Sequence, residues 1–498
     1  MTATEILRTN SSSGNVTEGG NGDGTPDASK TNRSIEWTQT VAMIMVTMMN
    51  GMWIVNLELP AVYLGGDNWL GENYSRAVGT ILKFAVPLLY VCTGESYAYT
   101  TRMREQDYAL RKQVYYCVVA KGRLLLFPGA VAYALFVFPR LYLAGQEGSV
   151  EVNVDPRMGS REPGLFYYWS LDTYQERWNF IWYYPTVWLV LCVNYLYIHR
   201  LYRRALFFAL IISLVILGCF LVAHRIWESI GACLLFVSPY VVWWLVQEKL
   251  AYGVRGKRWM HMLFVGLLCA CQLALILVGW VFLEQREERD VPLNVAANIV
   301  NVMFANYYFL LGFHVTTLRL ETEEGDGLVG REGWRGLRFM CGVLGVAVLW
   351  GNRGDTVYTE GVVSLVGTWA MIYVLRGFGE FVFDGSVGRE DSLVTRNVHE
   401  CVKFVFLGHW FWQDFAIRFF VQGGGDGHWM AWNAQFILPM VWFFSVIVCV
   451  LMYFCYVGVL VLWKLVGRRI GGEEGWEMAP TLLTPSAPPH PEDETVSV

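Results

Sequence analysis

Apolar residues in this chain come in blocks of about twenty, separated by short stretches rich in Gly, Asn, Asp, Arg and Glu. At about 1.5 Å of rise per residue, such a block spans the roughly 30 Å of hydrocarbon in a bilayer. The pattern predicts about twelve such blocks, centred near residues 48, 86, 133, 188, 214, 238, 271, 302, 343, 367, 411 and 448, the ninth and tenth being the weakest. Turn residues fall between blocks rather than within alternating patterns, and backbone groups in lipid must be satisfied internally, which favours helices over a barrel. The expected fold class is all-α, a polytopic membrane helix bundle of about 10–12 transmembrane helices.

Residues 1–38 are rich in Ser, Asn, Gly and Thr and read as a disordered cytosolic tail, neither signal peptide nor folded domain. Residues 39–465 form the multi-span membrane domain, and 466–498 a disordered, Pro-rich acidic tail. Composition agrees: the 498 residues are 54% hydrophobic and 15% aromatic, with mean hydropathy +0.35. The eleven cysteines lie almost entirely inside apolar blocks, only Cys269 and Cys271 being close together, so they read as small buried hydrophobes. A net charge of -5 with no long basic tract gives no sign of a nucleic-acid partner.

Charge instead records topology. Arg102, Arg104, Arg111 and Lys112 follow the second block, Arg200, Arg203 and Arg204 the fourth, Lys249, Arg255, Lys257 and Arg258 the sixth, and Arg331, Arg335 and Arg338 the eighth. Every second loop is basic, which puts those loops and both termini in the cytosol of a plasma membrane or endomembrane. The sequons at Asn10, Asn15 and Asn32 argue the other way but lie in a Ser/Asn-rich tail, and Asn73 becomes the expected outer glycosylation site.

Polar residues inside the blocks are the candidates for function, because each is costly in lipid unless it faces a cavity or a partner. Asn294, Asn298 and Asn301 recur on one helical face, with Asn306 farther along; interhelical hydrogen bonding competes with a substrate-lining role for them. Lys83 and Glu95 in the second block are close enough to its ends to snorkel. The eleventh block is the richest, with Lys403, then His409 and Gln413 sharing a face, then Asp414 and Arg418 spaced for an ion pair. Imidazole titrates near pH ~6.5, and His409 is expected to be the interior group that exchanges protons most readily.

The stretches IEWTQTVAMIMVTMMNGMW, FAVPLLYVCTGESYAY, AKGRLLLFPGA, YYFLLGFHV and VKFVFLGHWFW, in that order, resemble the membrane acyltransferase-3 family. Val86 to Gly94 is similar to the family's second-span Phe-x-x-Pro-Leu to Ser-Gly segment, Arg123-Leu124 with Pro128 to its basic third-span entry, and Phe406 to His409 to its late Tyr-x-x-His segment. The resemblance implies an integral membrane O-acyltransferase that moves an acyl group, commonly acetyl, from acyl-CoA to a hydroxyl of a carbohydrate, lipid or small metabolite. It implies no permanently bound cofactor and no metal; acyl-CoA is the donor substrate, and membrane lipid and the hydroxyl acceptor are the partners. The chain departs from the family in the first block, where an Arg and a His eleven positions later are replaced by Gln39 and Asn50. An Asn amide cannot serve as a base near neutrality. The resemblance therefore implies His409 as proton acceptor or its partner, Asn50 and Gln39 as the polar remnants of the first-span site, and Lys121 and Arg123 as donor-side cations; as polar residues within the blocks, Asn298, Asn301, Asp414 and Arg418 are expected with Gln39 to line the substrate or a pathway. The competing reading is a non-catalytic transporter or binding protein on the same scaffold.

Overall fold

The structure, a computed structural model, describes residues 34–48, 84–99, 119, 122–132, 134–135, 183–222, 226–249, 254–284, 291–323, 340–348, 357–384, 393–417 and 434–471. The described residues form twelve helices and no strand. In chain order they are α1 (34–48), α2 (84–99), α3 (Gly122–Ala132), α4 (Tyr183–Ile198), α5 (Tyr202–Val222) and α6 (Ile226–Lys249). Then come α7 (Val254–Glu284), α8 (Val291–Glu323), α9 (340–348), α10 (Val357–Asp384), α11 (Leu393–Ile417) and α12 (Ala434–Gly471). Each expected block coincides with or borders one helix. Five helices contain segments long and apolar enough to cross a bilayer: Ile226–Gln247, Trp259–Val278, Ile299–Leu318, Gly361–Gly379 and Pro439–Val459. The described part of α1 includes Ser34, and α12 extends to Gly471.

The bundle is apolar outside and polar within. Phe207, Leu210, Ile211, Leu214 and Val215 form an exposed stripe on α5, and Phe443, Ile447, Leu451, Phe454 and Leu462 one on α12, at the three- and four-residue spacing of a single helix face. Such continuous apolar surface is suited to lipid. Ser34, Glu95, Asn194, Gln272, Asn306, His314, Arg376, His409 and Gln413 are buried instead. Of the five membrane-length segments, that of α8 is the most enclosed, with 61% of it buried against 22% for α12. Helix α8 is thus a central post.

Side-chain layers fix the helix directions. Asn194 on α4, Tyr240 on α6 and Asn306 on α8 meet in one layer; Tyr197, Trp243 and His314, each farther along the same helices, meet in the next. Helices α4, α6 and α8 therefore run in one direction. Helix α7 runs the other way, with Cys271 against Ser238 and, earlier in its sequence, His261 against Trp243 and His314. The chain reverses between α4 and α5 in a tight turn: Leu201 N–H donates to Leu196 O at 2.9 Å and Arg200 N–H to Tyr197 O at 3.0 Å, with Arg200 at φ 60°. The basic connections after α4 and α6 consequently lie at the same end of the bundle, the end toward which α8 also finishes.

Helices α2 and α8 approach each other closely. A Cβ on Gly94 would stand 2.0 Å from Phe309 O, and one on Gly312 would stand 2.1 Å from Val91 O. Each glycine lies against the other helix's backbone, the close crossing that small residues permit between membrane helices. Adding a methyl at Gly312 must push backbone apart, so Gly312→Ala is expected to destabilise the protein by about 2 kcal/mol or more. Gly218→Ala, where a Cβ meets nothing within 4 Å, is expected to be neutral. Thermal melts of both variants in detergent check this; equal melting temperatures would remove the crossing as a determinant.

Candidate functional site

Beside the glycine crossing, Glu95 of α2 forms an ion pair with Arg376 of α10, whose Nη1 donates to Ser34 Oγ of α1 at 2.8 Å. Both charged groups are buried. In a medium of low dielectric an isolated charge is untenable, so each requires the other, and the pair ties three helices together. Glu95 is thus an interior group rather than a snorkelling one. Arg376 had no sequence signal beyond being a lone cation within an apolar block. On the same helix as Arg376, Gly379 lies against Thr38 of α1.

On the other side of α8, three residues form a chain: the Tyr197 hydroxyl is hydrogen-bonded to His314 Nε2 at 2.6 Å, and His314 Nδ1 to His261 Nδ1 at 3.0 Å. The next layer is a closed triangle. Asn194 Nδ2 donates to Asn306 Oδ1 at 2.5 Å, Asn306 Nδ2 to the Tyr240 hydroxyl at 3.2 Å, and that hydroxyl to Asn194 Oδ1 at 2.9 Å. Asn194 Nδ2 also donates to Val190 O at 2.8 Å. Such a network fixes the register of α4, α6 and α8. Asn306 is therefore an interior amide of α8, whereas Asn301 is exposed.

Helix α11 carries the third group. His409 is 1% exposed, and its Nδ1–H is directed at the carbonyls of Phe406 at 2.8 Å and Val405 at 3.2 Å. Those carbonyls can only accept, so Nδ1 holds the proton and Nε2 carries the lone pair of the neutral ring. One turn on, Gln413 Nε2 donates to Thr47 O of α1 at 2.9 Å. Gln413 Oε1 is buried with no hydrogen-bond partner among the described residues. The His409 end of α11 thus presents two acceptor atoms one helical turn apart, one on nitrogen and one on an amide oxygen. Nearer the start of α11, His399 Nδ1–H donates to Thr40 Oγ1, whose own hydrogen is given to Glu36 O at 2.8 Å.

His409 is not singular as an interior imidazole: His261, His314 and His399 are buried too. This corrects the expectation from sequence. His399 follows the polar start of α11 and His261 follows Lys257 and Arg258, so hydropathy alone reads both as residues near an aqueous end. Gln39 is half-buried on α1, and Arg123 is exposed on α3, which packs against α11. Asn298 lies on α8 and Asp414 on α11. Asn50, Asn73, Lys121 and Arg418 lie outside the described residues. No three His, Cys, Asp or Glu side chains converge as metal ligands among the described residues, where the cysteines are free thiols.

No protein-family model, no curated protein and no solved structure matches this chain. What the site does must therefore be read from its own groups.

Removing one member of the buried pair leaves an uncompensated charge, so Glu95→Gln and Arg376→Met are each expected to cost about 3–5 kcal/mol. The double variant should recover much of that loss. Melting temperatures of the four proteins in one detergent form the test, and additive losses would show that the two charges do not depend on each other.

Proposed function

We propose that this chain is an integral membrane O-acyltransferase that transfers an acyl group from acyl-CoA to a hydroxyl acceptor. What supports the reading is the buried oxygen of Gln413, which meets no hydrogen-bond partner among the described residues, one helical turn from the buried imidazole of His409. A buried acceptor without a donor is costly, and a hydroxyl group supplies the missing donor. In the proposed step His409 Nε2 takes the hydroxyl proton as that oxygen attacks the thioester carbonyl carbon. The carbon–sulfur bond then breaks, the proton passes to the departing thiolate, and the products are an O-ester and free CoA.

The donor's phosphates suit the basic end of the bundle, where the turn after α4 carries Arg200, Arg203 and Arg204 and the start of α7 has Lys257 and Arg258 in its sequence. Phe406, one turn before His409, packs on Tyr183 and Tyr184 at the start of α4, while the basic turn follows that helix's end. The 16 residues of α4 cover about 24 Å. CoA carries its thioester at the tip of a long pantetheine arm, which is the shape required to bind phosphates at one end and react deep within the bundle. On this reading the basic loops and both termini are cytosolic.

A second reading, an acyltransferase-like transporter or binding protein, is favoured by the Tyr197–His314–His261 chain, which has no part in the proposed transfer. Uptake driven by a gradient, with no acyl-CoA consumed, would select it.

Membranes containing the protein are expected to release free CoA from acyl-CoA when an acceptor is present. His409→Ala at matched protein level should lower the rate by about a hundredfold or more, the usual contribution of a general base. Gln413→Leu should chiefly raise the acceptor KM. Undiminished turnover in His409→Ala would place the base elsewhere.

A further inference from the structure

His261 and His314 face each other through like atoms, Nδ1 to Nδ1, at 3.0 Å. Two like nitrogens at that distance require one proton between them, since two lone pairs or two N–H groups would repel. His314 is fully buried and its Nε2 is engaged by Tyr197 at 2.6 Å, so the three groups form one hydrogen-bonded chain. The chain is satisfied in either direction. In one arrangement Tyr197 O–H donates to His314 Nε2, and His314 Nδ1–H donates to His261 Nδ1. In the other, His261 Nδ1–H donates to His314 Nδ1, and His314 Nε2–H donates to the Tyr197 oxygen.

Aromatic rings enclose the pair. Trp243 lies 4.4 Å from His314 and 4.8 Å from His261, Phe264 lies 4.4 Å from His314, and Phe313 lies 5.4 Å from it, centroid to centroid. Where such a ring presents its face to the imidazole, its quadrupole attracts the cation that protonation makes. We propose that His261 and His314 together take up a single proton beyond the one their Nδ1 atoms share, entering at His314 Nε2 along Tyr197 inside this aromatic box.

One added proton, on His314 Nε2, makes an imidazolium that donates through Nδ1 to neutral His261 and through Nε2 to the Tyr197 oxygen. A second would place two positive rings at hydrogen-bond distance and is excluded. Of the titratable groups around the pair, Tyr197 of α4 bonds His314 and packs on Tyr202 of α5 and Tyr240 of α6, while Lys257 and Arg258 precede His261 by one turn in the sequence of α7. The site goes beyond the acyl-transfer reading, because neither Tyr197, His261 nor His314 has a part in that step, and its test consumes no acyl-CoA.

Trp243 is a built-in reporter, because a protonated imidazole in contact with an indole quenches its fluorescence. The experiment follows tryptophan emission of the purified full-length protein in detergent from about pH 8 to about pH 5, with the Trp243→Phe protein subtracted. The difference signal is expected to fall about twofold or more on acidification, in a transition with a slope of about one proton, and to lose that transition in His261→Gln. A flat difference signal, a slope of about two protons, or an unchanged transition in His261→Gln would overturn the proposal. Should His261→Gln fail to fold, the subtraction of Trp243→Phe from the unaltered protein decides by itself.

Discussion

The contact between α2 and α8 at Gly94 and Gly312 is the constraint on which the interior depends. Because neither helix carries a side chain there, the two backbones touch, and the residues next to the glycines are brought to one level of the bundle. Glu95 follows Gly94 directly and His314 lies two positions beyond Gly312. The buried ion pair and the buried histidine chain therefore flank a single crossing, one toward α1 and α10, the other toward α4, α6 and α7. A wider crossing would open both polar groups to an apolar medium that offers them no substitute partners.

The polar groups divide by how completely they are satisfied. The Asn194–Tyr240–Asn306 triangle closes on itself, with each donated hydrogen bond accepted by another member, and behaves as structure. The Glu95–Arg376 pair also closes, through Ser34. The α11 region does not close in this way: Gln413 Oε1 and the indole N–H of Trp412 are buried with no hydrogen-bond partner among the described residues. That imbalance gives the α11 region the stronger claim to a substrate. A fully bonded network gains nothing from binding one, whereas an unpaired buried acceptor does.

The helices were legible in the sequence because the bilayer sets both the length and the composition of an apolar block, and each expected block meets a helix. The partners were not. Glu95 and Arg376 are 281 positions apart, and nothing in the local pattern of either says which cation meets which carboxylate. Asn301 is exposed whereas Asn306 is buried, because the face of α8 turned inward there is chosen by Gly312 and His314 packing on other helices. His409 stood out because it lies in the middle of an apolar run, whereas His261 and His399, close to charged helix starts, were concealed by their neighbours. Which histidines are interior is decided by tertiary contacts that hydropathy does not encode.

The account stands or falls on the ester bond it assigns to the α11 acceptors. Membranes containing the full-length protein would be supplied with acetyl-CoA labelled at the carbonyl carbon, and the lipid and glycan fractions analysed by mass spectrometry for base-labile label. The account predicts a labelled O-ester that depends on the protein. Protein-dependent consumption of label without any ester, or no labelled product across both fractions and added small hydroxyl compounds, would contradict it and leave α11 as part of a binding or transport pathway.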